Sequence, residues 1–233
     1  DDVRSFSDGL VGVKLNGKWG YINSSGEVVI SCIYDYAGSF SDGLACVMLN
    51  GKYGYINTSG EIVIPCIYDL AWSFSDGLAL VRLDGKCGYI NTSGELVIQC
   101  IYDDVINGYN NDRWSFSDGL ARVRLNNKYG YINSLGEVII PCIYDDVWSF
   151  SDGLARVKLN GKYGYINRSG EEVIPCIYSL VGWFSDGLVP VRNGKWGYIN
   201  RSGEEVIPCI YDYAESFSDG LARVELNGKC GYI

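Results

Sequence analysis

At 233 residues, 47% of them hydrophobic, the chain is long enough to bury a sizeable core, which excludes a disordered tail or a bare linker. Nineteen Lys and Arg stand against 28 Asp and Glu, and the formal charge of −9 repels phosphate backbones and anionic headgroups, which argues against nucleic acid and membrane surfaces as partners. No run approaches the roughly 18 apolar residues that insertion into a membrane as a helix would need, and Asp1-Asp2-Val3-Arg4 does not read as a signal peptide.

Along the chain the pentapeptide Phe-Ser-Asp-Gly-Leu recurs with Phe at 6, 40, 74, 116, 150, 184 and 217, at spacings of 34, 34, 42, 34, 34 and 33 residues. Self-similarity at such a period marks a tandem array. One domain over 1–233 is expected, divided into repeats at about 5–38, 39–72, 73–114, 115–148, 149–182, 183–215 and an incomplete 216–233. The long spacing reflects about eight extra residues around Ile106 to Arg113, which places a solvated loop between Ile-Tyr-Asp and the next Ser-Phe-Ser. The short spacing reflects a residue lost near Arg192-Asn193, at a hairpin end.

Each repeat opens on Ser-Asp-Gly, whose Asp is expected to accept backbone N–H groups and shape a turn rather than to bind calcium, which needs several carboxylates in one loop. A first strand follows, at Leu154 to Leu159 in the fifth repeat. Asn-Gly at 16–17, 50–51, 160–161, 193–194 and 227–228, with Asp84-Gly85 and Asn127 as variants, can supply the two positive-φ residues of a type I′ hairpin. A second strand runs from Lys162 to Asn167, a Ser-Gly-Glu segment reverses the chain again, and a third strand runs from Glu172 to Tyr178. Pro cannot donate to a ladder, and it occurs in the first strand (Pro190) and the third (Pro65, Pro141, Pro175, Pro208) but never in the second, so the second strand is expected to be central.

In the third strand Val173 and Ile177 point to one face and Ile174, Cys176 and Tyr178 to the other, so neither face is expected to meet solvent. Stacking each small sheet on its neighbours resolves this and forms a continuous core although no unit would fold alone. The fold class is therefore all-β, a tandem array of seven three-stranded antiparallel meanders expected to continue as an open solenoid-like superhelix, with a closed seven-bladed propeller as the alternative. The first two strands occur seven times and the third six, and a ring would lack a strand.

The segment Lys-Trp-Gly-Tyr-Ile-Asn-Ser-Ser-Gly-Glu-Val-Val-Ile at 18–30, repeated with Tyr or Cys in place of Trp and flanked by Phe-Ser-Asp-Gly-Leu-Ala and Ile-Pro-x-Ile-Tyr-Asp, resembles the WG (KWG) β-repeat family. The resemblance covers essentially the whole chain and implies repeated β structure with an interaction role, in proteins found mainly in bacteria. It carries over no catalytic residue. Only Trp19 and Trp196 keep Trp before Gly, and Cys87 and Cys230 replace it with thiols.

Cys32, Cys66, Cys100, Cys142, Cys176 and Cys209 share one position of the third strand, where free buried thiols are expected; equivalent positions on face-packed sheets lie too far apart for disulfides, and no Cys-x-x-Cys suggests a metal. The Asn-x-Ser sequons at Asn23, Asn57, Asn91, Asn167 and Asn200 read as turn chemistry. Catalysis needs a constellation that breaks the repeat; there is no His, and Asp112, a carboxylate outside the repeat pattern, has no evident partner, so no catalytic residue, cofactor or metal is expected. The informative variation lies just before Ser-Phe, where successive repeats carry Arg4, Gly38, Trp72, Trp114, Trp148, then Gly182 with Trp183 in the Ser slot, and Glu215. A Trp row beside solvated loops suits a partner anchor or a stacking platform. The expected ligand site is Trp72, Trp114, Trp148 and Trp183 with Tyr109 and Arg113 of the insertion, and the expected role is a non-enzymatic scaffold for a protein or glycan, in a bacterial cytoplasm or at a surface. A structural or display array without a specific ligand is the alternative.

Overall fold

The computed structural model describes residues 2–105, 116 and 118–233, and they fold into small antiparallel β-sheets with no helix long and apolar enough to cross a membrane. The chain divides into two compact units, 1–105 and 106–233. Each complete sheet contains the three expected strands, here b, c and d, preceded by a short strand a, and the pairing order is a-b-c-d. In the fifth repeat these are Asp146–Val147, Leu154–Leu159, Lys162–Asn167 and Glu172–Tyr178. Asp2–Ser7 and Tyr36–Ser41 are longer forms of strand a, and Tyr213–Ala214, Arg223–Leu226 and Lys229–Tyr232 make a three-stranded last sheet.

Strand a corrects the three-stranded meander and the placing of Pro190 in an outer strand. Pro190 lies in Leu188–Asn193, which pairs on both sides. Its carbonyl still accepts the Gly182 N–H at 2.8 Å, while the Gly182 carbonyl is taken by the Tyr165 hydroxyl at 2.7 Å. A ring that cannot donate is therefore tolerated there. The other four prolines lie in strand d, the sheet edge.

Local turn chemistry explains both hairpin tips. Asn16, Asn50, Asn160 and Asn227 have φ of 50–53° and are followed by positive-φ glycines, the demand of a type I′ turn. At 193–194 only Gly194 is left-handed, because the lost residue draws Asn193 into the strand against Lys195. The Ser-Asp-Gly segments form a second set of such tips, with Asp42, Asp76, Asp152 and Asp186 at φ 50–53°.

The Gly after Trp, Tyr or Cys has a separate cause. Strand d bulges across strand c: Tyr163 pairs with Tyr178 and Tyr165 with Ile174, so the intervening Pro-Cys-Ile arches over Gly164. A Cβ on Gly164 would lie 2.4 Å from the Ile174 carbonyl oxygen, and one on Gly54 2.6 Å from that of Ile64. Only glycine admits this approach.

The core lies between successive sheets within each unit. Tyr21, Ile30 and Tyr34 pack with Phe40, Ala45, Val47 and Ile56 of the next repeat, and Tyr165 and Ile174 pack with Val181, Val189, Val191 and Ile199. Each Ile, Val or Phe among them contributes about 1.5–3 kcal/mol on full burial, and none is buried by its own sheet alone. Within each unit a strand c tyrosine fastens the junctions described: the rings of Tyr21, Tyr55, Tyr131, Tyr165 and Tyr198 lie 4.8–5.0 Å from the next Phe, and each hydroxyl donates to a carbonyl of the next repeat.

Strand d corrects the expectation that neither face meets solvent. Ile33, Ile67, Ile101, Ile143, Ile177 and Ile210 are each about half exposed, because the inner side of this edge strand alone is packed against the neighbouring repeat. The thiols at its shared position are likewise half-buried, whereas Cys46 and Cys87 are buried and Cys230 is exposed. Burial pushes the Cys46 thiol up to about 12; burial, with Glu172 beside it, does the same for Cys176.

Candidate binding site

The residue before Ser-Phe faces, across a hairpin, the residue two places after the Leu of Ser-Asp-Gly-Leu, and the two vary as complementary pairs. Arg4 stands opposite Gly12, where a Cβ would lie 3.4 Å from the Arg4 Cδ. Trp72 and Trp148 stand opposite Leu80 and Arg156, their backbone N–H groups donating to the backbone carbonyls of those residues at 3.1 and 3.0 Å. Glu215 forms an ion pair with Arg223 at 3.1 Å. Gly182 stands opposite Pro190, and a Cβ at 182 would lie 2.6 Å from the Pro190 Cγ. A Trp cannot occupy position 182 beside that ring, so the aromatic residue of this repeat sits one place on, at 183.

That shift has a consequence for charge and packing. The Arg156 guanidinium lies 3.9 Å from the Trp148 ring centroid and 4.2 Å from that of Trp183, so it bridges the two indoles. Its Nη1 donates to the Val181 carbonyl at 3.2 Å, and the Tyr163 ring flanks Trp148 at 6.0 Å. Trp148 is half-buried in this stack, whereas Trp183 is 52% exposed. Beside it in sequence, Phe184 carries the Arg201 guanidinium at 5.2 Å, and Arg201 in turn donates to the Asp152 carboxylate at 2.9 Å.

Of the residues expected to form the site, the structure brings Trp148 and Trp183 together through Arg156. Trp72 is half-buried in the first unit, with its carbonyl accepting the Tyr55 hydroxyl at 2.6 Å. Tyr109, Arg113 and Trp114 lie outside the described residues. Sequence reasoning missed Arg156 and Arg201. The available signals were Arg at the third place of Leu-Ala-Arg-Val, and Arg168 and Arg201 where earlier repeats have Ser or Thr before Ser-Gly.

The Asp of Ser-Asp-Gly joins successive loops. Asp42 and Asp186 accept the Gly77 and Gly220 N–H groups at 2.9 and 3.0 Å, and Asp118 and Asp152 take Arg168 and Arg201. Among the described residues no three His, Cys, Asp or Glu gather into a group that could hold a metal.

The family model described as WG containing repeat matches residues 1–19, 19–53, 53–87, 88–129, 129–163, 163–195 and 196–230. No curated protein matches the chain. Among solved structures it is similar to a eukaryotic initiation factor (13% identity, TM-score 0.46, 96% of this chain and 69% of that one). It is also similar to Hsv2p of Kluyveromyces lactis (8%, 0.41, 86% and 74%) and to YCF48 bound to D1 peptide (12%, 0.34, 94% and 87%). With TM-scores below 0.5, these likenesses carry no weight for shape or role.

Proposed function

The chain belongs to the WG-repeat family, and on that footing we propose that it is a non-enzymatic binding scaffold, engaging a protein or a glycan through the surface of its repeats. The observation that carries this reading is Trp183: a large indole, 52% exposed, resting on a guanidinium that is itself held by a second indole. An aromatic group of fixed orientation and open to solvent loses little side-chain entropy on binding and contributes large contact area. A sequence without His, in which nearly every carboxylate belongs to the repeat, supports binding over catalysis.

The anchoring set is Trp72, Trp114, Trp148 and Trp183 with Tyr109 and Arg113. The test is a glycan array and a pull-down run in parallel with the unmodified chain and with a Trp72→Ala, Trp114→Ala, Trp148→Ala triple variant. Loss of retention in the triple variant, with the β-rich far-UV spectrum kept, is the expected outcome. Absence of any retained glycan or protein by the unmodified chain would leave a structural array without a specific ligand.

A further inference from the structure

Five of the described repeats place Ser in the slot that Trp183 occupies, and Ser5, Ser39, Ser73, Ser149 and Ser216 are all exposed. A sheet forms in each of those repeats with Ser in the slot, so the architecture does not require an aromatic residue there. Trp183 thus breaks the repeat at an outward position, which is where a role in binding rather than folding would show. We propose that Trp183, seated on Arg156, is a stacking platform for the pyranose ring of a β-linked, all-equatorial glycan. This rests on the scaffold reading above and specifies its ligand.

The ligand class follows from what already touches the indole. One side of the ring is engaged by the Arg156 guanidinium at 4.2 Å, and that cation is held in place by Trp148 at 3.9 Å and by the Val181 carbonyl. A ring that already interacts with a cation is a poor seat for a second one, because the two charges repel through a thin ring and the ring quadrupole is shared. Quaternary ammonium and methylated lysine are therefore disfavoured. Neutral C–H groups bring no second charge, and their contact with the ring is mainly dispersion. An all-equatorial pyranose presents axial hydrogens as a flat apolar face, and stacking on an aromatic ring needs no more than such a face. Its hydroxyls then project sideways and need polar partners at the rim. Ser185 and Asp186 follow in the chain, and Arg201 over Phe184 with the Asp152 carboxylate, 71% exposed, adds paired donors and acceptors. A protein hot spot instead calls for a shelf of apolar neighbours that excludes water, and polar groups gathered around the adjoining Phe184 are a weaker match to it.

The probe is cellohexaose, titrated into the full chain and followed by calorimetry and by the Trp indole N–H signals in a nitrogen-15 spectrum, with maltohexaose as the α-linked comparison. Saturable binding of cellohexaose is expected, with one exposed indole signal shifting most. Trp183→Ala should weaken it at least tenfold and Trp183→Tyr less, with the thermal midpoint kept, since Ser suffices at this slot in other repeats. Tyr232→Ala, at an exposed aromatic residue outside the anchoring set, should leave this binding unchanged. No heat or shift with 10 mM cellohexaose, or equal binding by Trp183→Ala, overturns the proposal. If Trp183→Ala abolishes retention of a protein while no glycan binds, the scaffold reading stands and the glycan assignment falls; if neither class of ligand is retained, both fall.

Discussion

Gly164→Ala tests whether the bulge of strand d over strand c is what holds glycine in the Trp/Tyr/Cys-Gly-Tyr motif. The added Cβ would stand 2.4 Å from the Ile174 carbonyl oxygen and 2.8 Å from both the Pro175 carbonyl carbon and the Cys176 nitrogen, all of them backbone atoms. Ordinary contact begins near 3.4 Å, so strand d must retreat by about 1 Å and weaken its ladder. Overpacking of this kind costs about 1–3 kcal/mol, which for a chain of this length lowers Tm by roughly 2–12 °C. Two internal comparisons separate this cause from glycine's backbone freedom. Gly161 has φ +76° and open space, so Gly161→Ala carries only the left-handed cost of about 1–2 kcal/mol. Gly231, in the last sheet, has nothing within 4 Å and no left-handed φ, so Gly231→Ala should be neutral to about 0.5 kcal/mol. Thermal unfolding of the three variants reads the ranking. Equal Tm for Gly164→Ala and Gly231→Ala would refute the bulge as the reason for the motif.

Other measurements probe the junctions and the charges. Tyr165→Phe leaves the Gly182 carbonyl without its hydroxyl donor and should cost about 1–3 kcal/mol by denaturant titration; no change would mean that water replaces the hydroxyl. Burial raises Tyr165 and Tyr198 to about 12, so their contribution to stability is complete below the ordinary tyrosine value near 10 and is lost as pH climbs toward 12, which a pH series of Tm will show. Asp35, Asp69, Asp145 and Asp212 are held below the usual carboxylate range by lysine hydrogen bonds, so their small, solvent-screened contribution is present above about pH 4 and declines as pH falls through the lowered values. In thiol titration Cys230 should react first and Cys46 and Cys87 last, following their exposure; similar rates would contradict the burial of Cys46 and Cys87.

Strands b, c and d were legible to the residue in the fifth repeat, because hairpin turns announce themselves through Asn-Gly and Asp-Gly, and strand alternation through apolar spacing. Strand a was not legible. In the fifth repeat it is only Asp146–Val147, too short for any alternation to register, and it forms because strand b offers an edge to pair with. The exposed Ile row was misread for a related reason: alternation marks both sides of strand d as apolar, but whether each side meets another sheet depends on where the edge falls.

The candidate site divides in the same way. The run of Trp before Ser-Phe stood out in the sequence, yet Arg156 and Trp183 are 27 positions apart and their stacking depends on the seating of one repeat on the next. The sequence by itself determined the period, the turns and three strands of each sheet, since these follow from φ preferences and alternation among near neighbours. Only the tertiary structure decided which glycine lies under a bulge, which isoleucines stay half open, and which arginine holds which indole. Each of these depends on atoms from different strands or repeats meeting at van der Waals distance, and spacing along the chain does not encode that distance.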